Sequence, residues 1–503
     1  MKRLSGLDTF FLVNENKRQH MHVAALGIYD PSTAPEGKVR FKSILEFFEQ
    51  RAREVEPFRR RLVRAPLGLD RAHWIEEGDI DIEYHVRHLR LPEPGDWRQL
   101  MIQVARLHSR PMDLTLPLWE AYIIEGLDNI PNFAVGSFAL YLKLHHAAID
   151  GEAGVRVLKA VHSTSPDPEP AESRKAVRYF EREPTDLELV VRSVVNRARQ
   201  VTEAAGFLAS AGQTGLRLVA QRAGQILEAE PKQAAAGAGR KPATRFGAQV
   251  SAHRVVDGLG LPIEDFRSIR RAVDGATLND VFMCTVGGAL NRYLGKHGEM
   301  PRGSLNAIVP IAFGEPGKGT SAENRFALAV MPLHTDIVEP LERLKAVSQA
   351  ASATKSMQND IGLDLGLKLM NVVPTFAAIA LANRTIRDQG NLVVSNVRGP
   401  DVPLYMAGAR MQMFMPINIP TDKVALSVTG FSYAGTMWVC AVACRKVLPD
   451  PAFFVQCIRD SFEELQVAAT NSLTRAAPAA RVSKRGKRGS RRGKQRPSRK
   501  TAK

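Results

Sequence analysis

The chain has 503 residues, 44% of them hydrophobic and 24% charged, and a formal net charge of +17. That mixture excludes a mainly disordered chain and a many-span membrane protein, and the length implies more than one domain. The charge would point to an anionic partner only if it sat on the folded body. It does not: thirteen Lys and Arg follow residue 470 and no acid follows Glu464, which leaves +4 for residues 1–470.

Near the N-terminus Asp8 interrupts the short apolar patch, so no signal peptide is read there. Residues 22–29 read as a strand and 41–55 as a helix. WEAYIIEGL, from Trp119, and FAVGSFALYLKL, at 133–144, read as strands, and a helical run VRVLKAVH follows residue 154. Pro, Ser and charge crowd 164–186 and mark a boundary. Residues 187–230 read as amphipathic helix, and 231–244 (PKQAAAGAGRKPAT) as a flexible linker. The second half opens near Arg245, with helices at 263–273 and 278–294. Later strands are NAIVPIAF, FALAVMPLHTDI, NLVVSNV, KVALSVTGFSYAG and TMWVCAVACRKV.

The domains are therefore set at 1–185, a helical linker 186–244, 245–468, and a disordered basic tail 469–503. The most apolar stretch, 371–382, is interrupted by Pro374 and is shorter than the roughly 20 residues a membrane span needs. Cys284, Cys440, Cys444 and Cys457 show no C-x-x-C pair. Neither a zinc nor a redox motif is indicated, and the low count fits a reducing cytosol.

The sharpest feature is His145-His146-Ala147-Ala148-Ile149-Asp150-Gly151, directly after a strand. Strand side chains alternate faces. His146 falls in phase with Phe138, Leu140, Leu142 and Leu144, and His145 with Tyr141 and Lys143. The two imidazoles are expected on opposite sides, which argues against both binding one metal. His20 and His22 lack further ligands, so no metal site is expected. A histidine ending a buried strand suits a general base; a hydrogen-bonded core histidine is the competing reading. Asp150-Gly151 reads as a turn, with Gly151 supplying backbone freedom and Asp150 bonding the turn or an arginine.

Flanking runs narrow the motif. They are Leu4-Ser5-Gly6-Leu7-Asp8 with Met21-His22-Val23, then Leu107-His108-Ser109-Arg110-Pro111-Met112-Asp113 before Pro117-Leu118-Trp119-Glu120. Ala276-Thr277-Leu278-Asn279-Asp280 and Ser395-Asn396-Val397-Arg398-Gly399-Pro400 follow. On these, residues 4–460 resemble the bacterial wax ester synthase/acyl-CoA:diacylglycerol acyltransferase family. Gly6 and Arg398 stand where that family commonly has proline, and the basic tail is not one of its features.

The resemblance implies an α/β (α+β) fold of two chloramphenicol-acetyltransferase-like domains with a channel between them. It implies an O-acyltransferase that joins acyl-CoA to diacylglycerol or a long-chain alcohol, with acyl-CoA as co-substrate and no cofactor. His146 would be the general base, with His145 and Asp150 supporting and orienting it and Gly151 in the turn. Pro117, Leu118, Trp119, Asn279, Asp280, Ser395 and Asn396 become candidate substrate-side residues. Ser395 and Asn396, ending a strand of the second half, are candidates for stabilising the oxyanion. Trp119 also reads as core, and Asn279-Asp280 as a plain helix cap.

The H-H-x-x-x-D-G run is shared with condensation domains and polyketide-associated acyltransferases that use carrier-protein thioesters. The PLW and N-D blocks and the lack of a fused carrier domain speak against that alternative. Intact His146 and Asp150 speak against an inactive lipid-binding protein. Such apolar substrates imply a bacterial cytoplasmic enzyme held peripherally at the inner membrane or lipid inclusions. Residues 187–230 and the basic tail are candidate contacts with anionic lipid; specific nucleic-acid binding is not expected. Ser352-Ala353-Thr354-Lys355 fits S-x-x-K without its partner motifs, and GEPGKGT at 314–320 lacks phosphate-loop spacing.

Overall fold

The computed structural model describes residues 1–149, 151–167, 181–199, 202, 241–312, 326–360, 380, 383–384 and 386–476. Asp150, most of the 187–230 run, the 314–320 loop, nearly all of 371–382 and the chain beyond 476 lie outside that set.

Fifteen strands are described. In the first half they are β1 Lys2–Arg3, β2 His22–Asp30, β3 Arg60–Val63, β4 His73–Glu76, β5 Val86–Arg90, β6 Trp119–Glu125 and β7 Phe138–His145. In the second they are β8 Arg254–Pro262, β9 Asn306–Ala312, β10 Phe326–Pro332, β11 Leu392–Arg398, β12 Tyr405–Met406, β13 Ala409–Ile417, β14 Leu426–Tyr433 and β15 Thr436–Cys444. They form a small sheet, β1-β4-β3, and two six-stranded mixed sheets, β12-β13-β2-β7-β6-β5 and β10-β9-β11-β14-β15-β8.

The first large sheet does not belong to the first half alone. Strands β12 and β13 cross over from the second half, and β13 pairs antiparallel with β2, from Arg410↔Asp30 to Ile417↔Ala24. The expected boundary at 245 thus divides the sequence but not the sheet. The reason is visible in β13, where a bulge between Met411 and Met413 sends Met411 into the cluster on one face of the sheet and Met413 and Met415 into the cluster on the other, all three buried. A strand with apolar side chains on both faces is buried only inside a sheet that is covered on both sides. The expected boundary at 468 also shifts, because the last helix runs Pro451–Ala476 and takes in residues read as tail.

Both faces of the first large sheet are covered. One packs Phe138, Leu140, Leu142 and Leu144 against the helix Phe41–Ala52, through Ile44, Phe47 and Phe48, and against Val157 of the helix Gly151–Ala160. The other packs Leu26, Tyr141, Met413 and Met415 against the helix Trp97–His108. Val256 of β8 and Cys440 and Val442 of β15 join that second cluster, so it is also the seam between the halves. The second sheet is covered by the helices Leu278–Lys296, Pro340–Asp360 and Pro451–Ala476. Leu278–Lys296 is buried on nearly every side, as expected of a helix apolar all round.

Two of the flanking motifs are helix-start devices. Ser5 accepts from the Asp8 N–H at 3.1 Å while Asp8 accepts from the Ser5 N–H at 3.1 Å, opening the helix Gly6–Asn14. Thr277 and Asp280 form the same reciprocal pair ahead of Leu278–Lys296. Each satisfies N–H groups that the first helical turn leaves without a partner.

Candidate active site

Strand β7 ends at His145, so the alternation stops one residue short of His146. A single 3-10 turn, His146–Ala148, follows, and His145 caps it: its Nδ1 accepts from the Ala147 N–H at 3.1 Å. The backbone N–H of His146 donates to the Met21 carbonyl at 2.8 Å. The His146 ring lies flat on Phe11 of the N-terminal helix, with centroids 3.8 Å apart and planes 12° from parallel. His146 keeps some exposed surface, but protein crowds it and its Nδ1 has no hydrogen-bond partner among the described residues. Burial lowers its pKa to about 4. At neutral pH the ring is uncharged, which is the form that accepts a proton.

His145 faces elsewhere. Its Nδ1 is an acceptor, so the ring proton sits on Nε2, which lies 3.5 Å from Glu15 Oε2. Glu15 also accepts from the Met21 N–H, and its Oε1 lies 3.2 Å from His20 Nδ1. Burial alone would raise the Glu15 carboxyl, but the hydrogen bonds from His145, His20 and Met21 outweigh it and hold the pKa at about 2. One carboxylate therefore ties down His145 and the residue whose carbonyl holds His146. Arg60 secures the other end of the turn: its Nη2 donates to the Ala148 carbonyl at 2.9 Å, with the guanidinium over the Trp74 ring.

The PLW block divides between two tasks. The Leu118 carbonyl accepts the His145 N–H at 3.0 Å, and the Leu118 side chain packs with Ala147, Ala148 and Phe11; Pro117 is buried beside it. Trp119 points into the outer core. It stacks on Phe58 at 4.4 Å and His85 at 4.5 Å, and its Nε1 donates to the Phe58 carbonyl at 3.0 Å.

The two blocks of the second half meet each other. Asn396 Nδ2 on β11 donates to Asn279 Oδ1 at 3.2 Å. Asp280 caps its helix, with Oδ2 accepting from the Thr277 N–H at 2.8 Å. Ser395 lies in register with Thr429 of β14, whose hydroxyl takes a 3.4 Å hydrogen bond from Asn418 Nδ2. The Asn418 carbonyl accepts from His108 Nε2 at 3.2 Å, and Ile419 packs in the same cluster as Phe11, Ala147 and Ala148. The second half thus reaches the His146 turn through residues 418–419. Among the described residues, no hydrogen bond joins Asn279, Ser395 or Asn396 to His146.

Sequence reading missed Glu15, Phe11 and Arg60. Glu15 sits in the polar run NENKR, which looks like surface, and nothing local says that it will be enclosed. Gly151 opens the helix Gly151–Ala160, while Asp150 is outside the described residues. His20 and His22 stack with centroids 5.6 Å apart. Among the described residues, no group of three His, Cys, Asp or Glu is arranged to hold a metal ion. The four cysteines are buried and unpaired as thiols.

Two mixed sheets joined by an exchanged strand, with a paired-histidine turn at the seam, define the chloramphenicol-acetyltransferase-like class of acyl-transferring folds. Condensation domains share it: the first condensation domain of the calcium-dependent antibiotic synthetase aligns over 93% of this chain at a TM-score of 0.56 and 15% identity, which speaks for the fold alone. The chain belongs to the wax ester synthase/diacylglycerol acyltransferase family and is an acyltransferase. The family's catalytic-domain profile matches residues 4–282, and its C-terminal-domain profile residues 322–466.

A Mycobacterium tuberculosis protein named as a candidate diacylglycerol O-acyltransferase is 32% identical over 475 residues, covering 93% of this chain and all of that one. The O-acyltransferase WSD of Acinetobacter baylyi is 28% identical, covering 89% and 93% of the two chains. The solved wax ester synthase/diacylglycerol acyltransferase of Marinobacter aquaeolei aligns at a TM-score of 0.64 and 25% identity, over 93% of this chain and all of that one.

Proposed function

We propose that the protein transfers a fatty acyl group from acyl-CoA to the hydroxyl of diacylglycerol or a long-chain alcohol, with His146 as general base. A ring nitrogen of His146 takes the hydroxyl proton as the oxygen attacks the thioester carbonyl. The tetrahedral oxyanion collapses, the C–S bond breaks, and the proton passes from His146 to the departing CoA thiolate. The products are an ester and CoA thiol, with nothing oxidised or reduced. No Ser or Cys nucleophile is required, because a thioester is already activated.

The observation that carries this reading is the state of His146: uncharged at neutral pH, braced on Phe11, and held by its own N–H to Met21. Proton transfer by a base so positioned is worth about 10²–10⁴-fold. His145 acts as a support, because its Nδ1 accepts from the Ala147 N–H and its Nε2 lies beside Glu15 at 3.5 Å. Asp150 is assigned to hold the turn, and Gly151 to let it lead into the helix. Ser395 and Asn396, near Asn279 and Asp280, are assigned to the oxyanion and acyl side, Pro117 and Leu118 to the walls of the site, and Trp119 to the core behind it. Both substrates are assigned to a channel along the seam between the halves.

Purified protein given labelled palmitoyl-CoA with hexadecanol, or with diacylglycerol, should form labelled ester, and His146→Ala should lose about 10²–10⁴-fold of the rate. No ester from either acceptor would refute the activity. Ester formation that survives the substitution would refute the mechanism.

Acceptors of this kind reside in membranes and lipid inclusions. Among the described residues, no helix is long and apolar enough to cross a membrane. The enzyme is therefore assigned to the bacterial cytoplasm, at the surface of the inner membrane or of lipid inclusions, where the basic chain beyond Ala476 would add attraction to anionic headgroups.

A further inference from the structure

The helix over 186–199 packs on the small sheet by one side only. Leu189 is buried against Val63 of β3 and Ile75 of β4, Ser193 is buried, and Asn196 donates to Asp70 Oδ2 at 2.7 Å. At 100° per residue, Leu187, Val191, Val194 and Val195 fall on the opposite side. All four are exposed, Leu187 at 73% and Val194 at 65%. This side chain arrangement is an outward apolar stripe on a helix whose inward face is already satisfied.

Two further features extend the stripe. The loop between β3 and β4 ends beside the helix at Asp70, and its tip carries Leu67, which is 97% exposed and held at a φ of +55°. The charge beside the C-terminal part of the stripe is basic. Arg192, Arg197 and Arg199 are the charged residues of 192–199, and Arg64 precedes Leu67 with no acid before Asp70, which is itself taken by Arg3 and Asn196. Of the acids at the start of this segment, Glu183 pairs with Arg61 at 3.1 Å and Glu188 with Arg182, while Asp186, at the far end of the helix from the arginines, is exposed.

We propose that this face, the stripe of helix 186–199 with the Leu67 loop, docks the enzyme on an anionic phospholipid bilayer. Apolar side chains enter the headgroup boundary while the arginines meet phosphate and carboxylate groups, the arrangement of an interfacial helix. The inference rests on the reading that the acceptor is a membrane-borne alcohol or diacylglycerol, and it adds which face meets that membrane. The fold gives the position a purpose. The small sheet buries Val63 and Ile75 under the helix and turns Leu62 and Trp74, on its other face, onto the cluster holding Phe11, Ala147 and Ala148. One sheet lies between the docked helix and the His146 turn, a separation of two packing distances of about 10 Å each.

The test uses full-length protein and phosphatidylcholine vesicles with and without phosphatidylglycerol. Cosedimentation should require phosphatidylglycerol and weaken with salt. The combined variant Leu187→Ser, Val191→Ser, Val194→Ser, Val195→Ser should bind at least about tenfold more weakly. The variant Arg192→Gln, Arg197→Gln, Arg199→Gln should lose on the order of 100-fold, about fivefold per arginine, on phosphatidylglycerol vesicles. Both should keep wild-type turnover on detergent-dispersed substrates.

Wild-type affinity in both variants overturns the proposal, and loss of binding only on truncation after Ala476 assigns docking to the tail instead. A wild-type dimer that the serine variant splits, with vesicle binding unchanged, makes the stripe a self-association face and also overturns it. Turnover on dispersed substrate reports the acyltransferase reading separately, so an inactive enzyme that binds vesicles through this face would sink that reading and leave the docking face standing.

Discussion

Glu15→Gln is the perturbation that most directly tests how the site is built. The carboxylate lies near the ring protons of His145 and His20, accepts from the Met21 N–H, and is held at a pKa of about 2 against an ordinary 4.5. That depression corresponds to roughly 3 kcal/mol in favour of the ionised form. Because the folded-state value is the lower one, this stabilisation is present above about pH 4.5 and is lost as pH falls through about 2. Glutamine keeps the shape, removes the charge and offers a donor where donors already converge.

We expect the variant to lose about 2–3 kcal/mol by urea unfolding at pH 7, and its stability to fall less than wild type between pH 5 and pH 2. The catalytic turn should loosen with it, lowering kcat by about 10- to 100-fold, a barrier change of roughly 1.4–2.7 kcal/mol. KM for acyl-CoA should change little, since Glu15 acts through His145 and Met21. A variant with wild-type kcat and wild-type stability would refute the assignment of Glu15 as the hub of the turn.

Further outcomes follow from the same geometry. Because burial holds the His146 pKa near 4, kcat/KM should be level from about pH 5.5 to pH 8 and fall only as pH approaches 4; an acid limb centred near 6.5 would contradict a desolvated base. Trp119→Phe should cost about 1–2 kcal/mol through the lost bond to the Phe58 carbonyl and leave acyl-chain preference unchanged, read by competing acyl-CoA lengths. A shifted preference at unchanged stability would move Trp119 from the core to the channel wall. Gly6→Pro should stabilise the protein by about 0.5–1 kcal/mol. Gly6 is the first helical residue, Ser5 already has the extended φ −67°, ψ 167° that proline asks of its predecessor, and an added Cβ would meet Arg71 no closer than 3.7 Å. A lower melting temperature would refute that reading.

Much of the fold was legible because its signals are local. Strand β2 begins at His22 as read, the helix Leu278–Lys296 begins at its reading, and β14 and β15 lie inside theirs. Apolar alternation and helix-start residues act over a few positions, so they survive without tertiary context. Strand β13 was missed although Met411, Met413 and Met415 alternate, since Met is a weak strand signal and the sheet it completes lies some 380 residues away in sequence. The helices Gly6–Asn14, Trp97–His108, Pro340–Asp360 and Pro451–Ala476 were likewise passed over, two of them despite a capping box.

By itself the sequence determined which atoms could do chemistry. The paired histidines, the turn after them and the ordered flanking blocks identify an acyltransferase and separate the +4 body from its basic end. Only the tertiary structure decided what surrounds those atoms. Phe11 lies on His146, Glu15 gathers three donors, Arg60 holds Ala148, and residues 418–419 bring the second half to the turn. The physical reason is that a side chain's charge state and orientation depend on burial and on partners far away in sequence, and neither is encoded in its neighbours along the chain. A Glu in a polar run looks solvated until folding encloses it, and a valine stripe looks like core until the opposite face of its helix proves to be the buried one.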